Sequence, residues 1–329
     1  MKVLVTGSSG HLGEGLVRTL RDRGDEVVGV DIKPGEFTEI AGSITDVTLV
    51  KEMVQGVDAI LHTATLHKPH VVTHSMQDFV DTNVTGTLVL LEAAVEHAVK
   101  AFVFTSTTSV FGHALRPPKN EPAAWVTEEL SPVPKNIYGI TKLAAEEICR
   151  LVHRKQGLPC LVLRTSRFFP EEDDSANARS LFTNDNLKVN EYLNRRVDLQ
   201  DAVNAHLLAI DRAPEIGFER FIISASTPFQ NQDVRALRQS APQVVADRVV
   251  NQEVAYEGLN WKLPADLDRV YVNHKAVELL GWQPEYNFYE VLQLVKSGQE
   301  YRSPLALAVG SKGYHAQVFK DGPFPVDDL

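Results

Sequence analysis

The sequence contains few cysteines and no long apolar run. Its two cysteines, Cys149 and Cys160, have no neighbour at metal-ligand spacing, which predicts that both are small buried side chains. So low a cysteine content in a chain of 329 residues is typical of a reducing compartment. No apolar stretch reaches about 18 residues, so no transmembrane helix is expected. Residues Lys2–Thr6 have the pattern of a strand, and we therefore expect no signal peptide and a cytoplasmic protein.

The chain also lacks an excess of positive charge. Its 33 basic and 43 acidic residues give a formal net charge of -10, which disfavours nucleic acid or an anionic membrane surface as a partner. A local basic pocket on such a protein can still bind an anionic small molecule. With 43% hydrophobic and 23% charged residues, the composition is that of a globular protein with a substantial core.

Short β-branched runs alternate with helical stretches in the first half of the chain. The predicted strands are Val3–Val5, Glu26–Val30, Ala59–Leu61, Phe102–Thr105 and Leu161–Leu163. The predicted helices are Leu12–Asp22, Val47–Gln55, Met76–Ala98 and Asn136–Lys155, with a further single helix at Asp201–Ile210. This alternation predicts an α/β fold, a Rossmann-like doubly wound parallel sheet with right-handed crossovers.

A glycine-rich segment joins the first predicted strand to the first predicted helix, with the sequence Thr6-Gly7-Ser8-Ser9-Gly10-His11-Leu12-Gly13. Glycines at this spacing allow a tight turn, close approach of a pyrophosphate and close packing of helix on strand. Asp31 follows eighteen residues after Gly13, at the end of the second strand. A carboxylate there binds the adenosine ribose and repels a 2′-phosphate, so the pattern favours NAD over NADP despite the nearby Lys33.

Tyr138 and Lys142 stand four residues apart near the start of a predicted helix, so their side chains share one face. A phenol has a pKa near about 10, and a fixed positive charge close by favours the phenolate that a general base requires. Upstream, hydroxyl side chains follow the predicted strand Phe102–Thr105, at the strand end that faces a cofactor cleft.

With these residues, the chain resembles the NAD-dependent epimerase/dehydratase family of the extended short-chain dehydrogenase/reductases, over nearly its whole length to about Pro284. The shared motifs are the glycine-rich segment, Asp58-Ala-Ile-Leu-His62-Thr-Ala64, Asn83-Val-Thr-Gly86-Thr, Thr105–Gly112, Tyr138 with Lys142, Arg196-Val-Asp198-Leu-Gln-Asp201-Ala and Leu280-Gly281-Trp282-Gln-Pro284.

The resemblance implies a role for each matching residue. Tyr138 is expected to be the general base and acid, and Lys142 to bind the nicotinamide ribose and lower the pKa of Tyr138. Thr107 is the expected partner of the reacting oxygen, with Thr108 and Ser106 as weaker candidates. The expected NAD contacts are Gly7, Gly10, His11, Leu12, Gly13, Asp31, Ile32, Ser43, Ile44, His62, Ala64, Asn83, Thr105, Tyr138 and Lys142.

Three departures from the family pattern concern the substrate and adenine sites. The 4,6-dehydratases follow the catalytic threonine with an Asp-Glu pair, whereas this chain has Thr108 and Ser109, which disfavours dehydration. Arg167 replaces the asparagine that nucleotide-sugar epimerases use near the substrate diphosphate; it suits an anionic group, but an ion-paired arginine is an equal alternative. Ser43 replaces an aspartate that holds adenine.

Three closely spaced histidines, His67, His70 and His74, invite a zinc hypothesis, but no local cysteine or carboxylate completes a site, and we predict no metal. The expected substrate contacts are His67, Thr107, Thr108 and Arg167.

These observations predict three regions: an NAD-binding Rossmann domain at 1–165, a smaller substrate-binding lobe at 166–302 interleaved with the last Rossmann elements, and an extended tail at 303–329 that wraps the body or a partner subunit. The predicted helices Met76–Ala98 and Asn136–Lys155 carry apolar residues that serve either core packing or an interface between two subunits. We expect a homodimer.

The expected function is oxidation of a secondary hydroxyl of a sugar or nucleotide sugar, with an epimerase favoured. A dehydrogenase of a sugar acid or small hydroxy acid that releases NADH is the first alternative. A non-catalytic NAD-sensing regulator is the second.

Overall fold

The structure is a computed structural model that describes residues 1–250, 256–313, 315 and 319. Its centre is a seven-stranded sheet in which every pair of neighbours is parallel, with the order β3-β2-β1-β4-β5-β7-β8. The strands are β1 (Lys2–Thr6), β2 (Glu26–Asp31), β3 (Ile40–Ala41), β4 (Ala59–His62), β5 (Ala101–Thr107), β7 (Cys160–Thr165) and β8 (Phe218–Ile223). The prediction of a Rossmann-like doubly wound sheet is confirmed.

Helices cover both faces of this sheet. On one face lie α1 (His11–Asp22), α8 (Leu199–Ile216) and α12 (Pro304–Val309), which share one apolar cluster with strand residues such as Val103. On the other face lie α2 (Val47–Val54), α4 (Gly86–Glu96) and α5 (Ile137–Gln156), around Phe102 and Phe104. Burial on both faces explains why the strand sequences are almost continuously apolar.

A third apolar cluster forms a smaller lobe. Two short parallel strands, β6 (Ala124–Val126) and β9 (Arg269–Tyr271), pair within it. The lobe's helices include α7 (Asn184–Glu191), α9 (Val234–Gln239), α10 (Ala241–Arg248) and α11 (Phe288–Lys296), and α6 (Ala176–Leu181) precedes them. In the sequence, α8 and β8 of the large sheet layer lie between α7 and α9.

The ends of α5 are fixed by its sequence. Asn136 caps the first turn by accepting a hydrogen bond from the Gly139 amide at 3.1 Å. Gly157 ends the helix with a φ of +76°, a conformation that glycine adopts without cost. Basic residues fill the last turn, where they complement the helix dipole. The helix that carries Tyr138 and Lys142 is therefore held at both ends.

The structure corrects two predictions of secondary structure. The long helix predicted at Met76–Ala98 consists of α3 (Met76–Phe79), a π-helical segment (Val80–Thr85) and α4. The segment from residue 303, predicted to be extended, begins with helix α12, which packs on α1 and α8. Ser303 caps this helix and Pro304 is its first residue, both of which are helix-start signals. No helix within the described ranges is long and apolar enough to span a membrane.

Candidate functional site

The glycine-rich segment forms a tight loop between β1 and α1. The Gly10 amide donates to the Gly7 carbonyl at 2.9 Å, and Gly7 has a φ of +75°. A Cβ at Gly13 would lie 1.9 Å from the Gly7 oxygen, and one at Gly7 would lie 2.7 Å from the Ala64 nitrogen. A Cβ at Gly10 would meet only the Gly7 oxygen, at 3.2 Å. Gly7 and Gly13 thus allow the loop to pack closely against neighbouring backbone. Gly10 leaves the backbone open to a ligand, as a pyrophosphate site requires.

Asp31 lies at the carboxyl end of β2 beside this loop. Its carboxylate accepts hydrogen bonds from the amides of Ser9, at 3.1 Å, and Lys33, at 2.9 Å. Ile32 follows with its side chain 71% exposed. The residues present therefore fit an adenosine ribose next to a pyrophosphate, in the order that NAD requires.

Three candidate catalytic side chains meet where β5 ends. The side chains of Thr107 and Tyr138 are both buried, and the Thr107 hydroxyl lies close enough to the Tyr138 phenol to oppose the rise of its pKa. Thr107 Oγ1 also accepts from the Ser109 amide at 3.0 Å, which orients it. The Lys142 ammonium lies 4.0 Å from the centre of the Phe104 ring, one helical turn beyond Tyr138. The structure thus places the threonine next to the tyrosine, with the lysine one turn further along the same helix.

Burial dominates the ionisation of this cluster. It raises the pKa of Tyr138 to about 12, against the opposing effect of the Thr107 hydrogen bond. It lowers the pKa of Lys142 to about 7, although the charges of Cys149 and Glu146 act in the other direction. The expected lowering of the Tyr138 pKa by Lys142 is not found in this arrangement, in which loss of solvent is the larger effect.

Beneath the cluster lies a buried ion network that the sequence analysis missed. Glu146, fully buried on α5, accepts from Ser106 Oγ at 2.6 Å and from Arg164 Nη2 at 2.7 Å. Arg220 Nε lies 3.1 Å from the same carboxylate. These contacts join α5 to β5, β7 and β8, and so fix Tyr138 and Lys142 relative to Thr107. The sequence feature that could have identified Glu146 is its spacing, because it follows Tyr138 by two helical turns and therefore lies on the same face of the helix.

Asn83 supports the cleft from within the π-helical segment. Its Oδ1 accepts from the Thr65 hydroxyl and the Leu66 amide, and its Nδ2 donates to the Leu66 carbonyl and to Thr141 Oγ1. These four bonds connect the loop after β4 to α5. The amide group is thus held in place by the protein, and the contact of Asn83 with the cofactor stays a prediction. Single π-helical turns are frequent at functional sites.

Three further expected cofactor residues have side chains directed into the protein. His62 lies between Thr6 Oγ1, at 2.8 Å, and Thr87 Oγ1, at 3.0 Å. Ile44 belongs to the apolar cluster beside α4. Thr105 Oγ1 lies 2.8 Å from His206 Nε2 on α8, away from Tyr138. His62 and Thr105 lie on strands β4 and β5, and Ile44 lies in the loop after β3; the contacts of all three with the cofactor stay predictions. Ser43 Oγ lies 2.8 Å from the Thr45 hydroxyl.

Arg167 is ion-paired in the structure. Its guanidinium lies 2.7 Å from Asp173 and 3.1 Å from Glu191, with Asp174 at 4.0 Å. These carboxylates raise the pKa of Arg167 against the effect of burial. The ion-paired alternative of the sequence analysis is the arrangement observed, which leaves the substrate contact of Arg167 without support.

The remaining predicted substrate contacts lie near the cleft. Thr108 is buried in a 3₁₀ turn directly after Thr107. The His67 ring lies 4.6 Å from His70 and 5.8 Å from Phe169, measured between ring centres. Burial lowers the pKa of His67 well below its ordinary value. Over the described part of the chain, no group of three or more His, Cys, Asp or Glu side chains is arranged to hold a metal ion.

Comparison with known proteins connects this geometry to one family. The profile of the NAD dependent epimerase/dehydratase family matches residues 3–217. The uncharacterized UDP-glucose epimerase YtcB of Bacillus subtilis is 32% identical over 50% of this chain and 55% of its own, so the match spans about half that relative's length. The dTDP-glucose 4,6-dehydratase of Streptomyces antibioticus is 30% identical over 89% of this chain and 90% of its own.

Solved structures share the fold. The UDP-glucose 4-epimerase of Thermus thermophilus, crystallised in complex with NAD, superposes with a TM-score of 0.62. The match covers 90% of this chain and 98% of that one, at 22% sequence identity. At this level of identity the likeness concerns the fold alone.

Proposed function

Because the chain belongs to the NAD dependent epimerase/dehydratase family and is thus an enzyme that uses NAD, we propose that it is a nucleotide-sugar epimerase. It oxidises a secondary hydroxyl of the sugar to a ketone and returns the hydride to the opposite face. The observation that carries this proposal is that the buried Tyr138 lies next to Thr107, with Lys142 one turn beyond, at the strand end beside the glycine-rich loop.

Each member of the cluster has a distinct task in the proposed reaction. Tyr138 removes the proton of the sugar hydroxyl, and the Thr107 hydroxyl holds the same oxygen in position. The Lys142 ammonium binds the ribose hydroxyls next to the nicotinamide. Bound NAD supplies the hydride acceptor, and its cationic ring favours the phenolate of Tyr138. That contribution is needed because burial, only partly opposed by Thr107, raises the pKa of Tyr138 to about 12.

The glycine-rich loop and Asp31 hold the other half of the cofactor. The open backbone at Gly10 and the amino terminus of α1 receive the pyrophosphate, and the Asp31 carboxylate receives the adenosine ribose. Asp31 already accepts two backbone hydrogen bonds, so its position is set before the ribose arrives.

Two competing reactions have less support. Dehydration needs an acid and a base next to the sugar, but the residues after Thr107 are Thr108 and Ser109. Net oxidation of a sugar acid gains no support from Arg167, because Asp173 and Glu191 pair with it. An epimerase needs no acid and base for elimination, because the proton and the hydride both return to the substrate.

The test is to incubate the purified protein with UDP-glucose, UDP-N-acetylglucosamine, UDP-glucuronic acid or dTDP-glucose and follow the sugar configuration by proton NMR. Absorbance at 340 nm is recorded in parallel. We expect one nucleotide sugar to change configuration without accumulation of NADH. The Tyr138→Phe variant should lose this activity, whereas Tyr289→Phe, at an exposed tyrosine, should retain it. Steady growth of NADH would establish the dehydrogenase instead, and unchanged turnover in Tyr138→Phe would refute the assigned base.

A further inference from the structure

Residues that follow helix α12 contact both the loop after β7 and the segment that contains the glycine-rich loop and the start of α1. We define the tail strap as residues 311–313 and 315, which follow helix α12. Ser311 Oγ donates to Glu171 Oε1 at 2.8 Å, and the Lys312 amide donates to the same oxygen at 3.0 Å. The Gly313 amide donates to it at 3.3 Å. One carboxylate oxygen of the loop after β7 thus receives hydrogen bonds from three consecutive residues of the strap.

The same carboxylate reaches the glycine-rich loop. Glu171 Oε1 lies 2.8 Å from Nε2 of His11, the residue that directly follows Gly10. The Lys312 ammonium also pairs with Glu14 in the first turn of α1. Burial raises the pKa of Glu171, but the hydrogen bonds from His11 and Ser311 outweigh it and bring the pKa to about 2. The carboxylate is therefore charged at any physiological pH, and its hydrogen bonds are of the stronger, charge-assisted kind.

The far end of the strap rests on the loop after β4. His315 Nε2 lies 3.0 Å from the Pro69 carbonyl oxygen, and the His315 ring centre lies 5.6 Å from that of His70. The near end is anchored by α12, which packs on α1 and α8. The described residues of the strap therefore contact α1 through Lys312 and the 3₁₀ turn Lys68–Val72 through His315. Loops at the carboxyl ends of β1 and β4 border the crevice in which a sheet of this kind binds its dinucleotide.

We propose that the tail strap slows the dissociation of NAD from its site, and that Glu171 is the residue that holds the strap in place. The inference rests on the proposed function and deepens it. An epimerase has to keep its reduced cofactor until the hydride is returned, whereas a dehydrogenase has to release it in every turnover. Glu171, in the loop after β7, hydrogen-bonds both to His11 of the glycine-rich loop and to the tail strap. These bonds have to break before the site can open, and they therefore slow release of the cofactor.

The test measures release of the cofactor without any substrate. The protein is loaded with NADH, excess NAD is added, and the loss of bound NADH fluorescence gives the dissociation rate. The Glu171→Gln variant keeps the size of the side chain and loses its charge, and we expect its dissociation rate to rise about tenfold or more. Glu172→Gln, at the exposed neighbouring position, is the matched control and should leave the rate unchanged.

A second variant separates the effect of the tail strap from a folding defect. Ser311→Ala removes one hydrogen bond on the strap and changes nothing in the body, so we expect a few-fold faster release at an unaltered thermal midpoint. Equal dissociation rates in Glu171→Gln, Ser311→Ala and the original protein would overturn the proposal. Tighter NAD binding in either variant would also overturn it, because the strap would then obstruct the site. Since no sugar is present, this result does not depend on whether the NMR assay finds an epimerase.

Discussion

Replacement of Glu146 by glutamine tests the ion network beneath the catalytic cluster. The change keeps the shape of the side chain and removes its charge. Arg164, 2% exposed on β7, then loses its carboxylate, whereas Arg220 keeps a second partner in Glu147 at 2.6 Å. Removing one partner of a buried ion pair costs about 3–5 kcal/mol, because the remaining charge has no compensation. We expect the free energy of unfolding to fall by about that amount.

The neighbouring residue provides the control. Glu147 follows Glu146 on α5 and pairs with Arg150 and Arg220, but its side chain is 43% exposed. Exposed pairs contribute about 0–1 kcal/mol, so Glu147→Gln should have a small effect. Both variants are compared by urea unfolding followed by circular dichroism, with the midpoint interpreted only where the slope is unchanged. The reasoning is refuted if the two variants differ by less than about 1 kcal/mol.

Three further predictions concern the cofactor loop, cofactor choice and pH. Gly13→Ala should destabilise the fold through its 1.9 Å clash with Gly7, whereas Gly10→Ala should leave the unfolding midpoint unchanged but weaken NAD binding in calorimetry; the reverse order would contradict the assigned loop geometry. Asp31→Ser should lower the ratio of NAD to NADP affinity about tenfold or more, and an unchanged ratio would remove Asp31 from the ribose site. Burial lowers the pKa of His206 to about 4, so the free energy of unfolding should fall as the pH falls from about 6.5 to about 4. His206→Gln should reduce this pH dependence in unfolding curves recorded across the range. An unchanged pH dependence would assign the titration to another group.

The sequence could predict those parts of the fold that depend on short-range patterns. Continuous apolar runs mark strands buried on both faces, and the structure contains all five predicted strands within slightly longer ones. The glycine spacing and the Tyr138–Lys142 spacing are local constraints as well, since each depends on one loop or one helical turn. The order of elements in a doubly wound sheet then places these two features at the same edge.

Contacts between distant segments could not be predicted in this way. Arg167 has the same residue type whether it faces a substrate or pairs with Glu191, and only the fold brings that carboxylate to it. The contact between Glu171 and Ser311 spans 140 residues and has no periodic signature. Strand β8 was missed because Glu219 and Arg220 interrupt its apolar pattern, although their neighbours Phe221 and Ile222 are fully buried.

The pairing of β7 with β8 has a consequence for anyone who cuts this chain into fragments. The predicted end of the Rossmann domain at residue 165 coincides with the end of β7, but β7 pairs with β8 over six residues, Cys160–Thr165 against Phe218–Ile223. A fragment ending at residue 165 would present that whole row of backbone donors and acceptors as an unprotected, flat, apolar edge. Such edges recruit strands from other molecules, so this fragment should aggregate, whereas a fragment extended past β8 keeps β7 paired with its natural neighbour.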